Sequence, residues 1–221
     1  MIVDPSGRGN DETGVTVMSW SNGNLFWKKT VGFRGGYEDH VLEAIANLAK
    51  EYKVNTVVVE SNFGDAMYLK LLQPYLTKIY PVRVEEVRQH TQKETRIIDT
   101  LEPVMNQHRL IVDPMVIQED YDTAMRNYPA DKARDYMVMY QLSRITKDKG
   151  SLKHDDRLDS LAIAVKYFTD KMNLDQEQAA KIREQQMFHD MLDKRSRRLH
   201  EGYSGSNKDT LNCVERWRKD R

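Results

Sequence analysis

The sequence predicts an α/β fold on a mixed sheet, with an antiparallel meander first and α/β alternation behind it. Three observations carry that prediction. Ile2-Val3 is a short β-branched strand that delivers Asp4 into a Pro5-Ser6-Gly7 turn. The alternating runs Thr13–Trp20 and Leu25–Phe33 are joined by Ser21-Asn22-Gly23-Asn24, a hairpin turn of the Asn-Gly type. From Tyr37 onward, stretches with helical apolar spacing alternate with short β-branched runs.

Each later element has its own signal. Arg8 to Asp11 is a polar loop, and Gly35-Gly36 ends the meander. Tyr37–Tyr52 places Val41, Leu42, Ile45, Leu48 and Ala49 on one helix face. Asn55–Val59 is too short and too β-branched for a helix and reads as a buried parallel strand ending at Glu60. Ala66–Leu76 is helical, Ile79–Val87 extended, and Lys93–Gln107 a helix with Ile97, Leu101 and Met105 spaced by four. Leu110–Val112 is a short extended piece; Pro114–Arg126 and Asp135–Thr146 read as helices. Met105, Met125, Met137 and Met139 fall on helical stretches and are expected in the core. Lys147–Lys153 is a charged loop, and Asp156–Lys171 is a strongly amphipathic helix.

Three antiparallel strands followed by α/β alternation is the element order of a ribonuclease H-like fold. Its five-stranded sheet has order 3-2-1-4-5 and is flanked by helices. Right-handed crossovers then put the first strand at the centre, beside the strand ending at Glu60. The expected organisation is a domain over 1–172, then a charged helical extension and flexible basic tail over 173–221. In that extension, Asp175–His200 is a glutamine-rich helix, and Gly202–Asn207 is Gly/Ser-rich and reads as a linker.

Composition bounds the function. The 221 residues carry 34 basic and 34 acidic side chains, so the net charge is zero and tight autonomous DNA binding is disfavoured. With Cys213 as the one cysteine, neither a disulfide framework nor a cysteine-rich zinc site is possible. No apolar stretch approaches membrane-spanning length. Met1 sits directly on the first strand, which suggests a fragment of a longer polypeptide.

The chemistry lies in the acids. Asp4 and Glu60 end strands, while Asp155 and Asp156 open the last amphipathic helix, with Asp159 one turn further on. Singly, each has an ordinary explanation as a turn former, a strand-end acid or a helix cap. Together they occupy the converging positions of one fold and form an oxygen-rich pocket of the kind hard divalent cations require. Two such ions can activate water and stabilise the leaving oxygen in phosphodiester hydrolysis. Asp4 and Glu60 are expected to face a polar pocket rather than pair with a buried base. Helical geometry puts Asp155 and Asp159 on the edge of the buried face; at least one of Asp155 and Asp156 is expected as a direct ligand, with Asp159 second. His154 is a candidate metal contact, direct or indirect. Arg8, Lys93, Arg96, Lys147, Lys149, Lys153 and Arg157 are candidates to hold DNA phosphates without reading sequence.

The segments Ile2-Val3-Asp4-Pro5-Ser6-Gly7, Val57-Val58-Val59-Glu60-Ser61-Asn62-Phe63-Gly64 and His154-Asp155-Asp156-Arg157-Leu158-Asp159-Ser160-Leu161-Ala162 resemble the C-terminal nuclease domain of the large terminase subunit of tailed bacteriophages, nearest to the short-tailed type. The resemblance implies a nuclease that uses Mg²⁺ or Mn²⁺, as two ions, to cut concatemeric double-stranded DNA during genome packaging. Its catalytic acids would be Asp4, Glu60, Asp155 and Asp156. It also implies an N-terminal ATPase domain, the portal and the small terminase subunit as partners, with action at the procapsid in the host cytoplasm. No G-x-x-x-x-G-K-[ST] phosphate loop occurs in this chain. Other readings are a resolvase or transposase core with the same pocket chemistry, an actin-like nucleotide-binding fold, and a non-catalytic packaging scaffold whose acids are caps and turns.

Overall fold

The structure is a computed structural model that describes residues 1–6, 11–61, 67–89 and 91–219, with side chains through Leu192. Gly7, Arg8 and the Asn62-Phe63-Gly64 stretch lie outside the described residues. Two compact units are present, Met1–Asp170 and Lys171–Arg221.

The first unit is built on β1 (Ile2–Asp4), β2 (Thr13–Ser21), β3 (Asn24–Phe33), β4 (Thr56–Glu60), β5 (Arg83–Val87) and β6 (Leu110–Val112). The sheet order is β5-β4-β1-β2-β3-β6, so the ribonuclease H-like order 3-2-1-4-5 is present with one strand added. β1 runs antiparallel to β2 and parallel to β4. The expected five strands become six because β6 pairs in parallel with β3, Leu25 opposite Leu110. Backbone N–H groups of Leu25 and Asp113, donating to Arg109 and Trp27 carbonyls, clamp it there. A three-residue apolar run carries too little pattern to announce which edge it joins. At the hairpin, Asn22 and Gly23 have φ of 51° and 80°, the two positive values that match strand twist in a two-residue turn.

Alternation along the strands sorts side chains between the two faces. Odd-numbered Val3, Val15, Val17, Val31, Val57 and Val59 are buried in a cluster with residues of α1 (Asp39–Glu51) and α2 (Met67–Ile79), including Leu42, Ile45 and Leu72. Even-numbered positions look the other way, toward α7 (Asp156–Lys219). Thr16 Oγ1 lies 2.8 Å from Ser160 Oγ across that boundary. Leu158, Leu161, Ala162 and Val165 of α7 are almost wholly buried, each large side chain contributing about 1.5–3 kcal/mol.

Gly14 lets α7 approach so closely. A Cβ there would collide with the backbone carbonyl of Asp156, which has no freedom to give way. Gly14→Ala is therefore expected to destabilise the domain by about 1–3 kcal/mol, the usual cost of overpacking, read as a lower urea midpoint with unchanged slope. An unchanged midpoint would show that the helix start is not seated on β2.

The remaining helices are α3 (Lys93–Asn106), α4 (Pro114–Asn127), α5 (Ala130–Ala133) and α6 (Val138–Arg144). Three expectations are corrected here. The single helix expected over 135–146 is a 3₁₀ turn, Arg134–Tyr136, then α6, because Met137 is extended (ψ 126°) and breaks the run. Met105 and Met125 are 41% and 38% exposed rather than core. On α3 the buried face runs Ile97, Leu101, Val104; a spacing of four drifts about 40° per step, which carries Met105 off it. Finally, α7 continues through 202–207, where composition suggests a linker; no proline interrupts it.

Candidate metal centre

Strand register builds the site. Ile2 pairs with Val58, so two residues on, Asp4 and Glu60 stand level at adjacent strand ends, both facing α7. Asp159, in the first turn of α7, completes the group: one carboxylate oxygen from each of Asp4, Glu60 and Asp159 lies within 4.8 Å of the others. Glu60 and Asp159 are 8% and 2% exposed. A cavity of about 440 Å³ opens over the three, lined also by Lys93, Arg96 and Tyr68.

The start of α7 is held by side chains from elsewhere. Gln141 of α6 accepts the Leu158 N–H at 3.0 Å, satisfying one of the donors a helix N-terminus leaves open. Arg157 is fully buried. Its Nε and Nη2 donate to the two carboxylate oxygens of Glu12 at 2.7 and 2.9 Å, and its Nη1 donates to Asp120 at 2.8 Å. One residue thus ties α7 to the entry of β2 and to α4.

Two of these carboxyls, Asp4 and Asp159, are crowded out of water and resist ionisation. Burial drives the Asp4 carboxyl well above its usual range, with the Asp159 charge and a hydrogen bond to Glu60 acting the same way. Burial also raises Asp159, outweighing the attraction of Lys93 and Arg96. Lys93 Nζ sits 2.8 Å from Asp155 and 3.2 Å from Asp159. Burial alone would lower its pKa, but Asp159, Asp4 and Asp155 prevail and hold it raised. Arg96 donates to Asp159 through Nη2 at 2.5 Å and places Nη1 3.6 Å from Glu60. The expectation that Glu60 has no buried base beside it is therefore corrected: Arg96, itself 9% exposed, stands there.

The other residues singled out from the sequence separate into three groups. Asp155 sits at the rim, bound to Lys93. Asp156 turns away, accepting the Glu12 N–H at 3.1 Å and lying with Asp11 and His154 in a second oxygen-and-nitrogen cluster. The His154 ring stacks on Tyr136 at 4.0 Å, and Tyr136 on Tyr128 at 3.5 Å. Lys147 pairs with Asp99, Lys153 with Asp135, and Lys149 is exposed. Arg157 is corrected as a phosphate contact, because every one of its bonds is spent inside the protein. Its place four residues before Leu161 already puts it beside the buried face. Glu12, Asp120 and Tyr68 were not anticipated. Glu12 gives little signal beyond being an acid at a strand entry, and Asp120 reads as one charge among several on a polar helix.

The raised carboxyls fix a pH dependence. Asp156 is pushed up to about 7, by burial above all. In the unfolded chain such a group releases its proton near 3.8, so between that pH and about 7 the folded state binds more protons. Stability of the metal-free protein is expected to fall as pH rises through this window, and Asp4 and Asp159 add in the same direction. Urea titrations at pH 5 and 8 should show lower stability at pH 8, and Asp156→Asn should flatten part of the slope. A profile that rises toward pH 8 would show that these acids are not buried together.

Residues 3–110 match the family model described as the bacteriophage T7 terminase ribonuclease H-like domain. This segment is a terminase ribonuclease H-like domain. The chain is also 46% identical over 177 residues to the large terminase subunit of Enterobacteria phage T3, a match that takes in 79% of this chain and 30% of that protein. It thus spans less than a third of the length of that relative. Among solved structures it is similar to the nuclease domain of the large terminase subunit of bacterial virus Sf6, with a TM-score of 0.46, 11% identity, and coverage of 74% of this chain and 86% of that one. A mutant of the same Sf6 domain, solved with manganese and β-thujaplicinol, gives a TM-score of 0.44 at 12% identity, over the same shares of both chains. The family-model match ends at residue 110, before Asp155, Asp156 and Asp159, whereas the match to the T3 subunit, at 79% of this chain, takes them in.

Proposed function

We propose that this domain is a divalent-metal-dependent endonuclease that cuts double-stranded DNA with little sequence preference during viral genome packaging. The observation that carries the reading is the convergence of Asp4, Glu60 and Asp159 on one cavity. Their oxygens form the hard donor set that Mg²⁺ and Mn²⁺ prefer, and the burial and mutual repulsion that raise Asp4 and Asp159 are what a bound cation offsets. Asp4, Glu60 and Asp159 would hold the divalent ions, with Asp155 within reach at the rim. Bound ions would supply the charge that activates water and stabilises the leaving oxygen. The chain contributes the rest: rigid strand ends that fix two ligands, a seated helix that fixes the third, and Lys93 and Arg96 as cationic walls for a phosphodiester.

Packaging enters through the relative called a large terminase subunit. By that analogy the domain works behind an ATPase domain, with the portal and the small terminase subunit, at the procapsid in the host cytoplasm. The test is a supercoiled plasmid incubated with Mn²⁺, Mg²⁺ or chelator. Nicked and linear products with either metal, and none with chelator, are expected. A folded but inert protein in Mn²⁺ would favour the scaffold reading.

A further inference from the structure

Two cations stand among four carboxylates at this site, and they are not held alike. Arg96 is buried, reaching Asp159 and Glu60 from inside the fold. Lys93 approaches from the rim: its side chain is 37% exposed, it is the first residue of α3, and it touches both Asp155 and Asp159. Its flexible stem gives Nζ several ångströms of travel without backbone movement.

We propose that Lys93 is the counter-ion of the metal-free centre and must be displaced by divalent cations, after which the same ammonium turns to the DNA phosphate. The proposal rests on the nuclease reading and adds a role that reading does not require. The charges support it. Four carboxyl groups, Asp4, Glu60, Asp155 and Asp159, share two cations, Lys93 and Arg96, so the centre has fewer cations than acids. Two divalent ions would turn that deficit into an excess of positive charge. Lys93, which can leave, would then be repelled from Asp155 and Asp159, whereas Arg96 is walled in. The cavity that receives a released Nζ is the one in which an anionic backbone would lie over Asp4 and Glu60. Lys93 would thus oppose metal binding in the empty protein and favour DNA once metal is bound.

The opposed signs make this testable without relying on turnover. Mn²⁺ is titrated into the full chain in the absence of DNA, and free Mn²⁺ is followed by its electron paramagnetic resonance. Lys93→Met should bind Mn²⁺ about tenfold more tightly than wild type, since a unit charge a few ångströms away is removed. It should nevertheless cleave plasmid about 100-fold more slowly at saturating Mn²⁺. Lys93→Arg, which keeps the charge, should bind Mn²⁺ as wild type does. Unchanged or weaker Mn²⁺ affinity in a folded Lys93→Met protein would overturn the proposal and leave the nuclease reading standing. Absence of Mn²⁺ binding by wild type would overturn both. If Lys93→Met does not fold, Lys93→Gln is read in the same way.

Discussion

Asp4→Asn is expected to lower plasmid cleavage by more than about 100-fold in Mn²⁺, beyond what loss of an outer hydrogen-bond partner of a metal ligand costs. The substitution keeps size and removes one negative charge from the centre of the cluster. Asp4 stands level with Glu60 across the β1–β4 register and within reach of Asp159, so its carboxylate is the one shared by both neighbours in the cluster. The same change should leave the metal-free protein folded and at least as stable as wild type, because a buried carboxyl facing two others is repelled by them. Plasmid cleavage and a urea titration on one sample test both halves. A cleaving Asp4→Asn protein would remove β1 from the chemistry. Loss of stability comparable to the loss of activity would make Asp4 a structural residue. Within α7 the geometry predicts a ranking: Asp159→Asn should cost more than Asp155→Asn, because Asp159 joins the buried group while Asp155 stays at the rim.

Arg157→Met is expected to destabilise the domain by about 3–5 kcal/mol, the penalty for leaving buried acids without their cation. Glu12 would lose both its bonds to the guanidinium, and Asp120 those to its carboxylate and its carbonyl, at positions 1% exposed. Arg157 stands two residues before Asp159, so a loosened helix start would also move the Asp159 carboxylate away from Asp4 and Glu60, and cleavage should fall even in the fraction that remains folded. Replacing all three charges, as Glu12→Gln, Asp120→Asn and Arg157→Met together, should recover much of the stability, since the cost comes from the uncompensated charge. Chemical denaturation of the single and triple variants decides this. A single variant within about 0.5 kcal/mol of wild type would show that the network does not hold α7, that being the usual range of inconsequential surface changes.

What the sequence by itself determined is whatever depends on local pattern. Alternation and the Asn-Gly turn defined the meander, β-branched runs marked β1 and β4, and their ends named Asp4 and Glu60. Those two acids meet because the strands are parallel neighbours, which right-handed connection already requires. The acids of the last helix were legible as a group but not as individuals. A helix start offers several side chains within one turn, and a rotation of about 100° per residue separates a ligand from a cap. Only the seating of α7 chose among them. Gly14 admits its backbone, Arg157 pins it to Glu12 and Asp120, and Gln141 caps it, so that Asp159 turns toward Asp4 while Asp156 turns toward Glu12. Each of those contacts except that of Gln141 joins residues separated by more than 30 positions, and the Glu12–Arg157 pair spans 145. No local periodicity encodes such a meeting. A charged side chain reads the same in sequence whether it ends in solvent, as Lys149 does, or in a buried ion pair, as Arg157 does, because the partner that decides its fate arrives only when the chain folds.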